Sequence, residues 1–156
     1  ETPGVPGAIE LIHDAYNANP DSMRAALRVL IERPAPSNAT RRVAILGDMG
    51  ELGEASDTEH RALGRWIAQH TTLDKLITIG EAARAIGEPV AEARAFEALD
   101  DNTCQQVAAL LRQGDQVLIK ASRSMQLERL IPAIEARFGA SPEPTQRGRG
   151  HAAAAD

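Results

Sequence analysis

Cysteine, tryptophan and tyrosine each occur once in this chain of 156 residues, as Cys104, Trp66 and Tyr16. A single cysteine excludes an internal disulfide and a thiolate metal site. Its neighbours Val107, Leu110 and Leu111 make it read as a small buried hydrophobe. Aromatic residues are only 3% of the chain, too few for the stacking platforms of a single-strand binder, and a net charge of −5 with few basic clusters argues against any nucleic-acid surface. No run approaches the roughly 20 apolar residues of a membrane span, and no signal peptide is present. The four histidines have no metal-ligand spacing. A phosphate loop ending in Gly-Lys-Ser/Thr is also absent. The chain opens on Glu1-Thr2-Pro3-Gly4 without a methionine, which reads as the interior of a longer protein.

What is present is an ordinary soluble composition, 43% hydrophobic and 25% charged, in a length that suits one domain with one sizeable core. Short apolar runs alternate with stretches of helical periodicity. That alternation predicts an α/β fold, a doubly wound and mostly parallel sheet with helices on both faces. Strands are expected at 8–13, 42–46, 75–79, 93–96 and 116–120, the fourth being short and Ala-rich. Helices are expected at 21–33, 56–70, 81–86, 102–112 and 124–138. Asn19 caps the first helix and Pro20 opens it; Ser56-Asp57-Thr58-Glu59 reads as a capping box, and Gly114 as the stop after the fourth helix. Pro132 is expected to kink or split the last helix. The domain is expected over 1–139. The remainder, 140–156, is too poor in apolar bulk to pack and reads as a disordered tail.

Three turns carry the chemistry. The first, Asp14 to Ser22, follows the 8–13 strand and supplies an anionic acceptor, Asp14, and the amides of Asn17 and Asn19, a set that suits a sugar diol and a base edge. In an open α/β sheet, ligands sit outside the carboxyl ends of the strands, where this turn is expected. Capping competes for Asn19, and turn formation for all three. The second turn, Gly47-Asp48-Met49-Gly50-Glu51-Leu52-Gly53, puts Asp48 and Glu51 three apart, close enough to flank a ligand amine or cation, or else merely solvated. The third, Lys120-Ala121-Ser122-Arg123-Ser124, gathers two cations and two hydroxyls before a helix. It suits a carboxylate or phosphate, although Ser124 also suits a helix cap. A lone helix histidine such as His60 is ordinarily structural or solvated.

Taken in order, Asp14-Ala15-Tyr16-Asn17-Ala18-Asn19-Pro20-Asp21-Ser22-Met23, Leu46-Gly47-Asp48-Met49-Gly50-Glu51-Leu52-Gly53 and Ile119-Lys120-Ala121-Ser122-Arg123-Ser124-Met125 closely resemble the C-terminal domain of the D-alanyl-D-alanine-adding Mur ligases, the MurF family. The resemblance covers about 9–138. One departure is Ala121, where the family usually has glycine; alanine requires an ordinary backbone there but removes no functional group.

The resemblance implies an ATP-dependent ligase of peptidoglycan synthesis, bacterial and cytoplasmic. This domain would close over ATP and deliver D-alanyl-D-alanine to a UDP-N-acetylmuramoyl-tripeptide. Asp14, Asn17 and Asn19 would meet ATP, with Asp14 on the ribose. Asp48, Glu51, Lys120, Ser122, Arg123 and Ser124 would meet the dipeptide, with Lys120 alternatively facing ATP phosphates. Mg²⁺ and the phosphate loop would belong to a central domain and the UDP-sugar site to an N-terminal one, both partners in the same protein. By itself this stretch is then expected to be inactive. Two other readings stay open, another Mur or folylpolyglutamate-type ligase and a non-catalytic nucleotide- or peptide-binding module; the Tyr16-Asn17-Ala18-Asn19-Pro20 string argues against the former.

Overall fold

In a computed structural model of the chain, residues 8–139 are described. The expected tail, 140–156, and the first seven positions of the expected domain lie outside them. Five strands form one sheet: β1 (Glu10–Asp14), β2 (Arg42–Gly47), β3 (Lys75–Ile79), β4 (Arg94–Phe96) and β5 (Gln116–Lys120). They alternate with helices α1 (Pro20–Glu32), α2 (Ser56–His70), α3 (Arg84–Gly87), α4 (Asp101–Leu110) and α5 (Leu130–Phe138). The strand order is β1-β5-β2-β3-β4 and every pairing is parallel. The last strand in sequence therefore lies inside the sheet, between the first two.

Parity along the strands sorts the core into two layers, because successive strand side chains point to opposite faces. Ile12, Ala44, Leu46, Leu76 and Leu118 face one side, where Met23, Leu27 and Leu30 of α1, Leu63 and Ile67 of α2, and Ile86 of α3 cover them. Leu11, Val43, Ile45, Ile77, Val117 and Ile119 face the other, under Cys104 and Val107 of α4 and Leu130 and Ile134 of α5. The doubly wound reading holds, and Cys104 is indeed buried. Strands covered on both faces have no polar side to show, which is why β2 and β5 read as unbroken apolar runs.

The helix ends depart from expectation in four places. Ser56 caps nothing: a 3₁₀ turn, Gly53–Ala55, runs straight into α2, and its N-cap Ala55 has no side-chain hydrogen bond. α4 ends at Leu110 with extended backbone at Leu111, so Gly114, at φ +84°, serves the turn into β5 and does not stop the helix. The stretch expected as one helix at 124–138 is two 3₁₀ turns, Arg123–Met125 and Leu127–Arg129, ahead of α5. Gln126 separates them in the left-handed region at φ 53°. Pro132 consequently falls in the first turn of α5, where its missing N–H has no partner to lose, and it neither kinks nor splits the helix. Likewise the third helix shrinks from 81–86 to the four residues of α3.

The opposite, amino-terminal edge of the sheet is closed by ion pairs. Glu10 takes Arg33 and the Gln116 amide, and the Arg41 guanidinium makes a two-pronged contact with Asp115 at 2.8 and 3.0 Å. Hydrogen bonding to Asp115 raises the Arg41 pKa above its usual value. Polar residues at this end fasten strands together, which leaves the carboxyl edge for a ligand.

Candidate functional site

The three polar turns leave β1, β5 and β2, which are adjacent, so the sheet brings them to one carboxyl edge. The chain after β1 and β2 turns toward the face carrying α1, α2 and α3, and the chain after β5 turns toward the face carrying α5. Such a divergence of loops from neighbouring strands marks the position ligands take in open α/β sheets.

The first turn begins inside the strand. Asp14 is the last residue of β1 and pairs in register with Lys120 at the end of β5. Lys120 is 2% exposed, its Nζ donating to Asp14 Oδ2 at 2.8 Å and to the Asn17 carbonyl at 2.7 Å. Its ammonium is thus buried against the first turn. Asn17 Oδ1 accepts from Ala18 N at 2.8 Å, closing the turn on itself. Asn19 is the helix cap: its Oδ1 accepts from Ser22 N at 2.8 Å while Ser22 Oγ accepts from Asn19 N at 3.0 Å, a reciprocal capping box. Both amide oxygens are thus engaged by backbone, leaving the NH₂ groups of these exposed residues for a ligand.

The third turn is more open. Ser122 Oγ and Ser124 Oγ lie 3.2 Å apart, and Ser124 sits within the 3₁₀ turn and is not its cap. Arg123 is exposed, its guanidinium 5.5 Å from the centre of the Tyr16 ring. Tyr16, 72% exposed, is the one large hydrophobic side chain left outside among the described residues. This cation–π contact joins the first and third turns.

In the second turn, Asp48 and Glu51 diverge in role. Asp48 Oδ1 accepts from Ala83 N at 2.7 Å and its carbonyl accepts from Ser122 N at 2.9 Å. Gly80, at φ +122°, makes room for that carboxylate: a Cβ there would stand 2.2 Å from Asp48 Oδ1. Asp48 therefore ties the second turn to the third and to the chain after β3, while Glu51 is exposed in the left-handed region at φ 61°.

His60, read from the sequence as structural or solvated, is structural and supports this edge. The ring is buried, Nε2 accepting from Met49 N at 3.0 Å and Nδ1 lying 2.6 Å from the Ser56 carbonyl. A carbonyl only accepts, so Nδ1 carries the proton and the ring is the neutral tautomer that fits both partners. The signal available was the four-residue spacing from Ser56 to His60, one helical turn. Among the described residues no group of three or more His, Cys, Asp or Glu could hold a metal ion, and no helix is long and apolar enough to cross a membrane.

Known proteins resemble this arrangement. A family described as Mur ligase, glutamate ligase domain, matches residues 3–123. The UDP-N-acetylmuramoyl-tripeptide–D-alanyl-D-alanine ligase of Mycobacterium tuberculosis (strain ATCC 25618 / H37Rv) is 37% identical over 153 residues, covering 82% of this chain and 29% of the relative. Its Escherichia coli (strain K12) counterpart is 33% identical over 129 residues, covering 80% and 26%. Among solved structures, MurF from Acinetobacter baumannii superposes with a TM-score of 0.66 at 34% identity, over 79% of this chain and 26% of that one. MurF ligase from Thermotoga maritima in complex with ADP gives 0.68 at 26% identity, over 86% and 31%. The chain thus spans less than a third of the length of these relatives.

Proposed function

Because this chain belongs to the Mur ligase family, as its glutamate ligase domain, we propose that it serves a ligase joining D-alanyl-D-alanine to a UDP-N-acetylmuramoyl-tripeptide with ATP, in bacterial peptidoglycan synthesis. The observation that carries this is the convergence of the three polar turns on the edge shared by β1, β5 and β2. Asp14 meets the ATP ribose through the carboxylate oxygen that Lys120 does not hold, and the Asn17 and Asn19 amides meet the same nucleotide. Arg123, Ser122 and Ser124 take the carboxylate of the incoming dipeptide, the guanidinium supplying a planar fork and the hydroxyls single bonds. Glu51 takes the dipeptide amine, and Asp48 holds the turn that carries it.

In such a reaction the γ-phosphoryl of ATP passes to the tripeptide carboxylate and ADP leaves; the dipeptide amine attacks the acyl-phosphate carbonyl, the C–N bond forms as the amine loses a proton, and phosphate leaves. This chain has no Gly-Lys-Ser/Thr and no metal-binding cluster among its described residues. Phosphoryl transfer and Mg²⁺ fall to a central domain of the same ligase, and the UDP-sugar to an N-terminal one. The role of this domain is to grip the ribose end of ATP and orient the amine, which lowers the barrier by positioning. Use of ATP and a nucleotide-linked substrate suits a cytoplasmic setting.

Steady-state kinetics of the intact ligase with Arg123→Lys and Arg123→Ala test the assignment. A lost charge-assisted hydrogen bond is worth about 1.5–3 kcal/mol, or roughly ten- to a hundredfold in affinity. Both variants should raise KM for D-alanyl-D-alanine by about that factor and leave KM for ATP nearly unchanged. Equal, mild losses for every substrate would show that the turn only supports closure.

A further inference from the structure

Lys120 is 2% exposed, a position where an ammonium is strongly disfavoured unless its partners replace water. Both partners come from the first turn, the Asp14 carboxylate at 2.8 Å and the Asn17 carbonyl at 2.7 Å. The cation therefore grips that turn at two points, three residues apart, from the neighbouring strand. Between the two points Tyr16 is thrown outward, 72% exposed, and meets Arg123. A dipeptide carboxylate would have to reach an ammonium that is 2% exposed and already paired with Asp14, whereas Arg123 is exposed and meets a ligand without that exchange.

We propose that Lys120 is a positioning residue for the nucleotide: it aims the free oxygen of Asp14 and fixes the Asn17 backbone, and it does not touch the dipeptide. The inference rests on Asp14 being the ribose ligand. Lys120 acts on ATP through Asp14, so its effect should vanish once Asp14 can no longer be aimed as an anion.

The test is a double-substitution cycle in the intact ligase, with KM for ATP and for D-alanyl-D-alanine measured separately for Lys120→Met, Asp14→Asn and the pair. Lys120→Met should raise KM for ATP about tenfold and leave the dipeptide KM within about twofold, and in the Asp14→Asn background the same change should add less than about threefold. A dipeptide KM that rises as much as that of ATP, or fully additive effects on ATP, would overturn the inference. If Lys120→Met does not fold, the Asp14→Asn/Lys120→Gln pair leaves no unpaired charge; its ATP KM should rise and its dipeptide KM hold, and a raised dipeptide KM again refutes the proposal. If Asp14→Asn raises the ATP KM and Lys120→Met does not, positioning by Lys120 falls and the ribose reading stands. If Asp14→Asn leaves the ATP KM unchanged, the ribose reading falls and takes the inference with it.

Discussion

Gly47 and Ala121 occupy neighbouring positions at the ends of β2 and β5, so close that a Cβ on Gly47 would stand 2.7 Å from the Ala121 methyl, with the Ile79 carbonyl and Leu127 at 3.3 Å. The alanine that departs from the family pattern therefore uses space that glycine at 47 leaves open. Gly47→Ala should destabilise the protein by about 1–3 kcal/mol through overpacking. Adding Ala121→Gly should return much of that loss, measured by urea unfolding; strictly additive costs would mean that the two positions do not share the space. A second residue-scale effect is electrostatic. His13 keeps a buried Nε2 without a partner among the described residues, and burial lowers its pKa from the ordinary 6.5, with Glu128 and Asp14 opposing weakly. The unfolded chain binds this proton first on acidification, so the associated stability is complete above pH 6.5 and is lost as pH falls through the lowered folded value. His13→Leu should flatten the decline of unfolding free energy just below pH 6.5, and an unchanged slope there would assign it to other groups.

At the scale of elements, α2 and α3 meet through Gly64, where a Cβ would come within 2.3 Å of the Ile86 carbonyl. Gly64→Ala gains about 1 kcal/mol of helix propensity but forces the helices apart, which costs about 1–3 kcal/mol, so overpacking should win and thermal melting should fall by several degrees. A rise in melting temperature would show that α3 yields freely. Elements whose pattern is local were legible in the sequence: β3, β5 and α2 lie where periodicity puts them, as do the Asn19 cap and Pro20. Helix ends were less so. The Ser56 string looks like a cap, but a preceding 3₁₀ turn already supplies the geometry, and the left-handed backbone at Gln126 has no signal in a residue type that rarely adopts it. The site shows the same division. That polar turns follow β1, β2 and β5 is readable, whereas the burial of Lys120 depends on a register between residues 106 positions apart, and a lysine after a strand reads as exposed.

At the scale of the whole molecule, the core is complete on both faces of the sheet while the phosphate loop is missing from the sequence. The isolated chain should therefore fold cooperatively, yet release no phosphate from ATP in the presence of UDP-N-acetylmuramoyl-tripeptide and D-alanyl-D-alanine. Turnover by the chain alone would refute the division of labour between domains. The placement of β5 between β1 and β2 also constrains the order of assembly. Among the described residues β1 pairs with β5 alone, so during synthesis β1 waits for the last of these five strands. A ribosome that has delivered β2, β3 and β4 has a partial sheet whose open edge must admit two strands, and such long-range closure is slow. Asp14 and Lys120 reach each other only in that closing event. The first and third turns therefore come together in one step, after the second turn has been delivered with β2.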